Sequence, residues 1–274
     1  MAEKKFNALP GFGLTMGFTL FYLSAIVLIP MAALFLRAFQ ISLPEFWRLA
    51  TTDRAIAAYK LTFGAALAAA FANAIFGTLL AWVLVRYEFP GRRLIDALVD
   101  FPFALPTAVA GLTLADMFAA NGWLGQFLVP LGIKGAFTPL GVVIALTFVG
   151  MPFVVRTLQP VLEGMEPEIE EAAATLGASR LRTFVSIIAP TLLPTLITGF
   201  ALSFARAIGE YGSVVFISGN VPYRTEIAPY LIVMRLEEYN YAGAVALAVV
   251  LLVISFAMLS VINVLESWAG QYQK

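Results

Sequence analysis

The sequence predicts an all-α integral membrane protein with six transmembrane helices, and three observations carry that reading. Of the 274 residues, 61% are hydrophobic and only 12% are charged, and the mean hydropathy is +0.88. Soluble domains run near one quarter charged and about half apolar, so a soluble fold of this size has nowhere to hide such a surface, whereas a bilayer does. The apolar residues fall in runs of about 20, the length that spans the hydrocarbon core as a helix. Most Lys and Arg residues fall between those runs.

The first run, Leu14 to Leu36, follows a short segment, Met1 to Pro10, that carries Lys4 and Lys5. It is too long for the apolar region of a signal peptide and no A-x-A-like site follows, so it reads as a retained membrane helix. The second, Leu61 to Val85, is rich in Ala and Gly. Gly64, Ala68 and Ala72 recur there at every fourth position, which lets helix backbones approach and predicts a packing face. The third, from near Leu94 to near Ala115, contains Pro102 and Pro106. The fourth runs from about Leu140 to Val155, the fifth starts near Thr191 and is interrupted by Arg206 and Glu210, and the sixth is Ala242 to Val264. Discontinuous membrane helices often line a cavity, which is one reading of the broken third and fifth runs. A Pro-kinked packing helix is the competing reading of the third. Residues 1–56 then hold an N-terminal cytoplasmic segment, the first span and a periplasmic loop. Residues 57–266 form the membrane core, with a cytoplasmic loop at 159–190, and 267–274 form a cytoplasmic tail.

Loop Lys and Arg residues set the orientation. With the N-terminus inside, Lys4, Lys5, Arg86, Arg92, Arg93, Arg156, Arg180, Arg182 and Lys274 are cytoplasmic. Arg37, Arg48, Arg54, Lys60, Lys134, Arg224 and Arg235 are then outside. The short Arg86–Arg93 loop and the Lys4–Lys5 pair weigh most, and they place both termini in the cytoplasm.

The net charge is zero and directs the chain to no nucleic acid. There is no cysteine and no histidine. A disulfide framework and thiolate chemistry are excluded, and the commonest metal ligand and general base are missing. No metal or cofactor site is expected, and enzyme chemistry in this chain is disfavoured. No G-x-x-x-x-G-K-[ST] run occurs; Gly91-Arg92-Arg93 is too short to cradle a phosphate.

The loop from Glu163 to Pro190 is too polar to span and too well patterned to be disordered. Pro167 suits the first position of a helix. Glu166, Glu168, Glu170 and Glu171 crowd its first turns, where the helix dipole favours anions. Gly177 is placed to stop that helix, and Ser179 to cap a second one that runs through Arg182, Phe184, Ile187 and Ile188 to Pro190. The loop therefore predicts two short helices joined at a glycine, a rigid elbow on the membrane surface. A helix pair that only closes the bundle is the alternative.

These residues also carry a resemblance. Glu171-Ala172-Ala173, three residues, Gly177, nine residues, Ile187, one residue and Ala189-Pro190 resembles the loop signature of ABC importer permeases, with Ala189 in place of the family's leucine. The resemblance implies the type I importer permease fold. It also implies that this loop is the coupling helix, docked in a groove of a cytoplasmic ATPase subunit, with Glu171, Ala172, Ala173, Gly177, Ile187 and Pro190 shaping that contact. ATP and magnesium would then be bound by the partner ATPase, not here.

Further segments narrow the resemblance. Arg86-Tyr87-Glu88-Phe89-Pro90-Gly91-Arg92, the run from Asp100 to Leu114, Pro152 to Thr157, Arg206 to Gly212 and the Leu9–Phe12 start are together similar to the T-type permease subunits of sulfate/thiosulfate importers. Molybdate and tungstate permeases share much of this pattern. The resemblance implies a heterodimer with a W-type permease subunit, an ATPase dimer below, and a periplasmic sulfate-binding protein that delivers substrate, all in the bacterial inner membrane.

Charges inside a span are costly and usually face a cavity or a partner. Arg206 and Glu210 are spaced to share one helix face, with Tyr211 between the bend-prone Gly209 and Gly212. A pore or gate pair on the anion path is one reading of Arg206, Glu210 and Tyr211, and an internal salt bridge that holds the broken helix is the other. An ion-coupled secondary transporter is a different class. It calls for deep carboxylates and an inverted repeat, and only Glu210 lies deep.

Overall fold

A computed structural model describes residues 12–271. The Lys4–Lys5 pair, most of the Leu9–Phe12 start and Lys274 lie outside the described residues. Among the described residues five helices are long and apolar enough to cross a bilayer: Phe12–Phe39, Asp53–Arg86, Pro139–Glu163, Arg180–Ile208 and Tyr241–Trp268. They are the first, second, fourth, fifth and sixth spans.

The third span is not one helix. It is built from Arg92–Val99, Phe101–Ala104 and Thr107–Phe118. Pro102 is accommodated within the first two positions of the middle piece, where a missing N–H costs nothing. Leu105 precedes Pro106 and is extended, with φ −86° and ψ 136°, because the proline ring clashes with a helical residue before it. Pro106 is thus a break, not a mild kink.

The second span starts at Asp53 rather than Leu61. Thr52 caps it by accepting a hydrogen bond from the Ala55 backbone N–H at 3.2 Å. Asp53 in the first turn and Arg86 in the last turn complement the dipole. The packing face is displaced by one position from the expected one. Thr62, Ala65, Ala66, Ala69, Ala70, Asn73 and Gly77 are buried. Gly64 and Ala68 are exposed, and a Cβ built on Gly64 would meet nothing within 4 Å. The helix is so rich in small residues that two parallel stripes exist, and the stripe holding Asn73 faces the bundle.

The fourth span continues beyond Val155 to Glu163 and so takes in Arg156, Gln159 and Pro160. The second, fourth and fifth spans pack around Ala66, Ala70, Val142, Leu146 and Phe204. Lipid offers no hydrophobic drive for helix association, so close packing and hydrogen bonds between helices take its place. Asn73 Nδ2 donates to Ser203 Oγ at 3.0 Å, both fully buried. Gly150 makes this possible, because a Cβ there would stand 2.5 Å from Ser203 Oγ and 2.6 Å from Asn73 Nδ2.

The first span differs from the others. None of its residues is buried, and its second half lies against the sixth span. It contains a π-wound turn, Ser24–Leu28, just before Pro30. The fifth span contains the same device, Phe184–Ile188, just before Pro190. Proline removes one i→i−4 hydrogen bond and clashes with that carbonyl; a widened turn before it absorbs the clash without ending the helix. The second elbow helix therefore does not stop at Pro190, as expected, but runs directly into the fifth span.

Candidate functional site

The elbow forms as the local sequence dictates. Glu166 precedes the helix Pro167–Thr175, with Glu168 and Glu170 in its first turn. The helix ends in a Schellman motif: the Ala178 N–H donates to the Ala173 carbonyl at 3.0 Å and the Gly177 N–H to the Ala174 carbonyl at 3.0 Å. Gly177 has φ +80°, a left-handed conformation that costs a residue with a Cβ about 1–2 kcal/mol. Ser179 Oγ then accepts from the Arg182 N–H and starts the next helix.

Two contacts hold the elbow to the second span, and a third, within the span, links them. Arg86 forms an ion pair with Glu170 at 2.7 Å, without the geometry of an aligned hydrogen bond. The Arg86 guanidinium lies 5.4 Å from the centre of the Trp82 ring, a favourable cation–π distance. Trp82 meets Phe184 edge-on at 5.7 Å. Between them lies a cavity of about 530 Å³ lined by Trp82, Arg86, Glu170, Glu171, Arg180 and Phe184. Ala172, Ala173 and Ile187 line a second groove, with Ile169 and Leu176 at its rim. The expected loop residues thus divide between two faces: Glu171 on one, Ala172, Ala173 and Ile187 on the other. Gly177 sits at the turn and Pro190 follows the π-wound turn. Leu176 is 88% exposed, an apolar tip pointing away from the bundle.

Arg206 and Glu210 meet where the fifth span ends. Arg206 lies in its last turn, favoured there by the dipole, and its Nη1 stands 2.5 Å from Glu210 Oε2. The Glu210 side chain is 3% exposed. Its other oxygen accepts from the Ser213 N–H at 2.8 Å and from Ser213 Oγ at 2.9 Å, so the buried carboxylate is fully satisfied. Tyr211 stacks on Tyr230 with centroids 6.4 Å apart. The turn after Glu210 is pressed onto the third crossing. A Cβ on Gly212 would come within 2.2 Å of Thr107 Oγ1, and one on Gly111 within 2.2 Å of the Ser213 carbonyl. The third crossing and the turn after the fifth span therefore touch backbone to backbone; Glu210 is buried at this contact, while the Arg206 side chain is 34% exposed.

Two ionic clusters join residues far apart in sequence, of which sequence reasoning placed only the arginines, Arg54 and Arg156, and both in loops. Arg54 makes a two-pronged contact with Glu226, Nε to Oε2 at 2.7 Å and Nη2 to Oε1 at 2.6 Å, and the Glu226 side chain is 1% exposed. It ties the start of the second span to the segment before Ala228. At the elbow end, Arg156 donates from Nε and Nη2 to the two Asp100 oxygens at 2.8 and 2.7 Å. Its Nη1 donates to Asp96 Oδ1 and Gln159 Oε1, both at 2.6 Å, and Nη2 also reaches the Asp96 carbonyl at 2.8 Å. The faint signal was Arg156 with Gln159 one turn on, at the end of an apolar run; nothing local named Asp96 and Asp100 as partners.

The family model for binding-protein-dependent transport system inner membrane components matches residues 73–270. A sulfate transport system permease protein CysT of Salmonella typhimurium is 49% identical over 99% of this chain and 98% of its own. The CysT proteins of Synechococcus elongatus and Escherichia coli are 53% and 48% identical, covering 93% and 97% of this chain and 92% and 96% of theirs. In structure the chain is similar to a bacterial ABC transporter involved in the import of the acidic polysaccharide alginate, with a TM-score of 0.77 at 15% identity, covering 94% of this chain and 96% of that one. At that identity the likeness concerns the fold. The chain therefore belongs to the family of binding-protein-dependent transport system inner membrane components, among its CysT-type permeases, and has the helical fold of an ABC importer permease.

Proposed function

We propose that this chain is the T-type membrane subunit of an importer that carries sulfate, and thiosulfate with it, across the bacterial inner membrane, driven by ATP hydrolysis in a separate ATPase subunit. The observation that carries the substrate is the near-full-length similarity to proteins named as sulfate permeases, at 49% identity over 271 residues in one case. On this reading a W-type permease completes a heterodimer and two ATPase copies, which bind ATP and magnesium, take the elbow. A periplasmic sulfate-binding protein delivers the anion on the other side. The elbow suits this role because it is rigid, attached to the second span through Arg86, and ends in the exposed Leu176. Both termini then lie in the cytoplasm, and Arg206, Glu210 and Tyr211 stand at or near the anion path, where the third crossing meets the turn after the fifth span.

Sulfate uptake in a strain lacking this chain, with and without its restoration, tests the reading. Uptake should be lost and then recovered, and an ATPase should co-purify with the restored chain. Uptake that is indifferent to the chain, or a purified chain with no ATPase attached, would overturn it.

A further inference from the structure

The elbow helix follows the fourth span after only Gly164–Glu166. A displacement of the elbow therefore reaches the bundle by two routes, through the fifth span that continues it and through the end of the fourth, where Arg156 stands one residue short of the last two turns. The guanidinium has five N–H donors in a fixed planar fork, and here all five have acceptors: two on Asp100, one on the Asp96 carboxylate, one on the Asp96 carbonyl and one on Gln159. Gln159 Nε2 closes the ring by donating to Asp96 Oδ1 at 3.0 Å. A surface ion pair with one contact has little holding power; a two-pronged arginine with every donor used fixes orientation as well as distance. The two aspartates sit on Arg92–Val99 and at its end, and the chain then runs through Phe101–Ala104 to the break at Pro106. Immediately beyond the break, Thr107 and Gly111 are in backbone-close contact with Gly212 and Ser213, beside Glu210.

We propose that Arg156 is a positioning residue that makes the end of the fourth span and the segment Arg92–Ala104 one rigid body, so that movement of the elbow is delivered to the third crossing at its Pro106 break and from there to the turn that holds Glu210. The inference rests on the functional reading above. It explains why the third crossing is discontinuous at Pro106 while the piece on the elbow side carries two aspartates: one half rides with the elbow, and the hinge lets the other half respond.

Two measurements on the assembled, membrane-inserted complex test it. The chain has no cysteine, so spin labels at Leu98→Cys and Glu163→Cys, both exposed, report the clamp alone, whatever anion is carried. The parent should give one narrow distance, unchanged on adding ATP, and Arg156→Gln should broaden it. A distance that stays narrow in Arg156→Gln, or that shifts with ATP while Arg156 is intact, overturns the clamp. The second measurement is sulfate transported per ATP hydrolysed. It should fall by roughly 2- to 30-fold in Arg156→Gln, the range for residues along a coupling network, with ATP hydrolysis largely kept. If Arg156→Gln does not assemble, Asp100→Asn, which keeps the shape and removes one charge, is read on both scales. Parent-like values on both scales overturn the clamp. A parent that gives the narrow distance but moves no sulfate overturns the functional reading and leaves the clamp standing.

Discussion

At the scale of the residue, Glu210 is held from three sides. It is buried, paired with Arg206 and bonded twice to Ser213. Breaking a buried ion pair by removing one partner costs about 3–5 kcal/mol, because the other charge is left uncompensated. Arg206→Ala, which strands the buried Glu210 carboxylate, should therefore lower the apparent melting temperature of the purified complex, and the Arg206→Ala/Glu210→Ala double variant should recover part of the loss. Sulfate uptake then separates structure from path: the double variant should assemble and still transport poorly, and normal uptake in it would remove the pair from the anion path. Gly150 gives a second, purely steric case. A methyl group there would meet Ser203 and Asn73 at 2.5 and 2.6 Å, and overpacking of this kind costs about 1–3 kcal/mol. Gly150→Ala should reduce stability while leaving the charge clusters intact, a result that melting of the complex checks directly.

At the scale of the element, the elbow was legible because its signals are local. Pro167, the run of glutamates, Gly177 and Ser179 each act within a turn or two of themselves, and each sits where expected. Span ends were less legible, because a hydropathy run stops at the first charge while the helix does not. Arg156 lies inside the fourth span and Arg54 inside the second. The second span's packing face was missed by one register step, since Gly64 and Ala65 are equally small and only the neighbours decide between them. Pro190 misled in the opposite sense, as its π-wound turn keeps the fifth span continuous with the elbow. This continuity sharpens the prediction for Gly177. Gly177→Pro removes the N–H that donates to Ala174 and cannot adopt φ +80°. It should redirect the elbow and uncouple ATP hydrolysis from transport without preventing membrane insertion. Glu171→Lys, on the face toward Arg86 and Arg180, should do the same through charge. Parent-like stimulation of ATPase activity by substrate in both variants would count against the elbow as the coupling element.

At the scale of the whole molecule, what sequence could not reach is long-range pairing. Arg156 finds Asp100 and Asp96 across 56 and 60 residues, and Arg54 finds Glu226 across 172. No spacing rule connects them, because their meeting depends on how the spans are arranged. At the elbow end stand Arg86, Arg92, Arg93, Arg156, Arg180 and Arg182; at the opposite end are Arg37, Arg48, Arg54, Lys60, Lys134, Arg224 and Arg235. Orientation follows Lys and Arg close to span ends, and acidic partners contribute little to it. Counted with Lys4, Lys5 and Lys274 of the termini, nine basic residues on the elbow's side stand against seven, and the rule predicts that the elbow faces the cytoplasm. The prediction is direct, because the chain brings no cysteine of its own. Ser179→Cys, at the elbow, should resist a membrane-impermeant maleimide in intact cells and react once the membrane is opened. Tyr239→Cys, 79% exposed in the loop before the sixth span, should react in intact cells. The reverse pattern would invert the topology and place the elbow where no cytoplasmic ATPase can reach it.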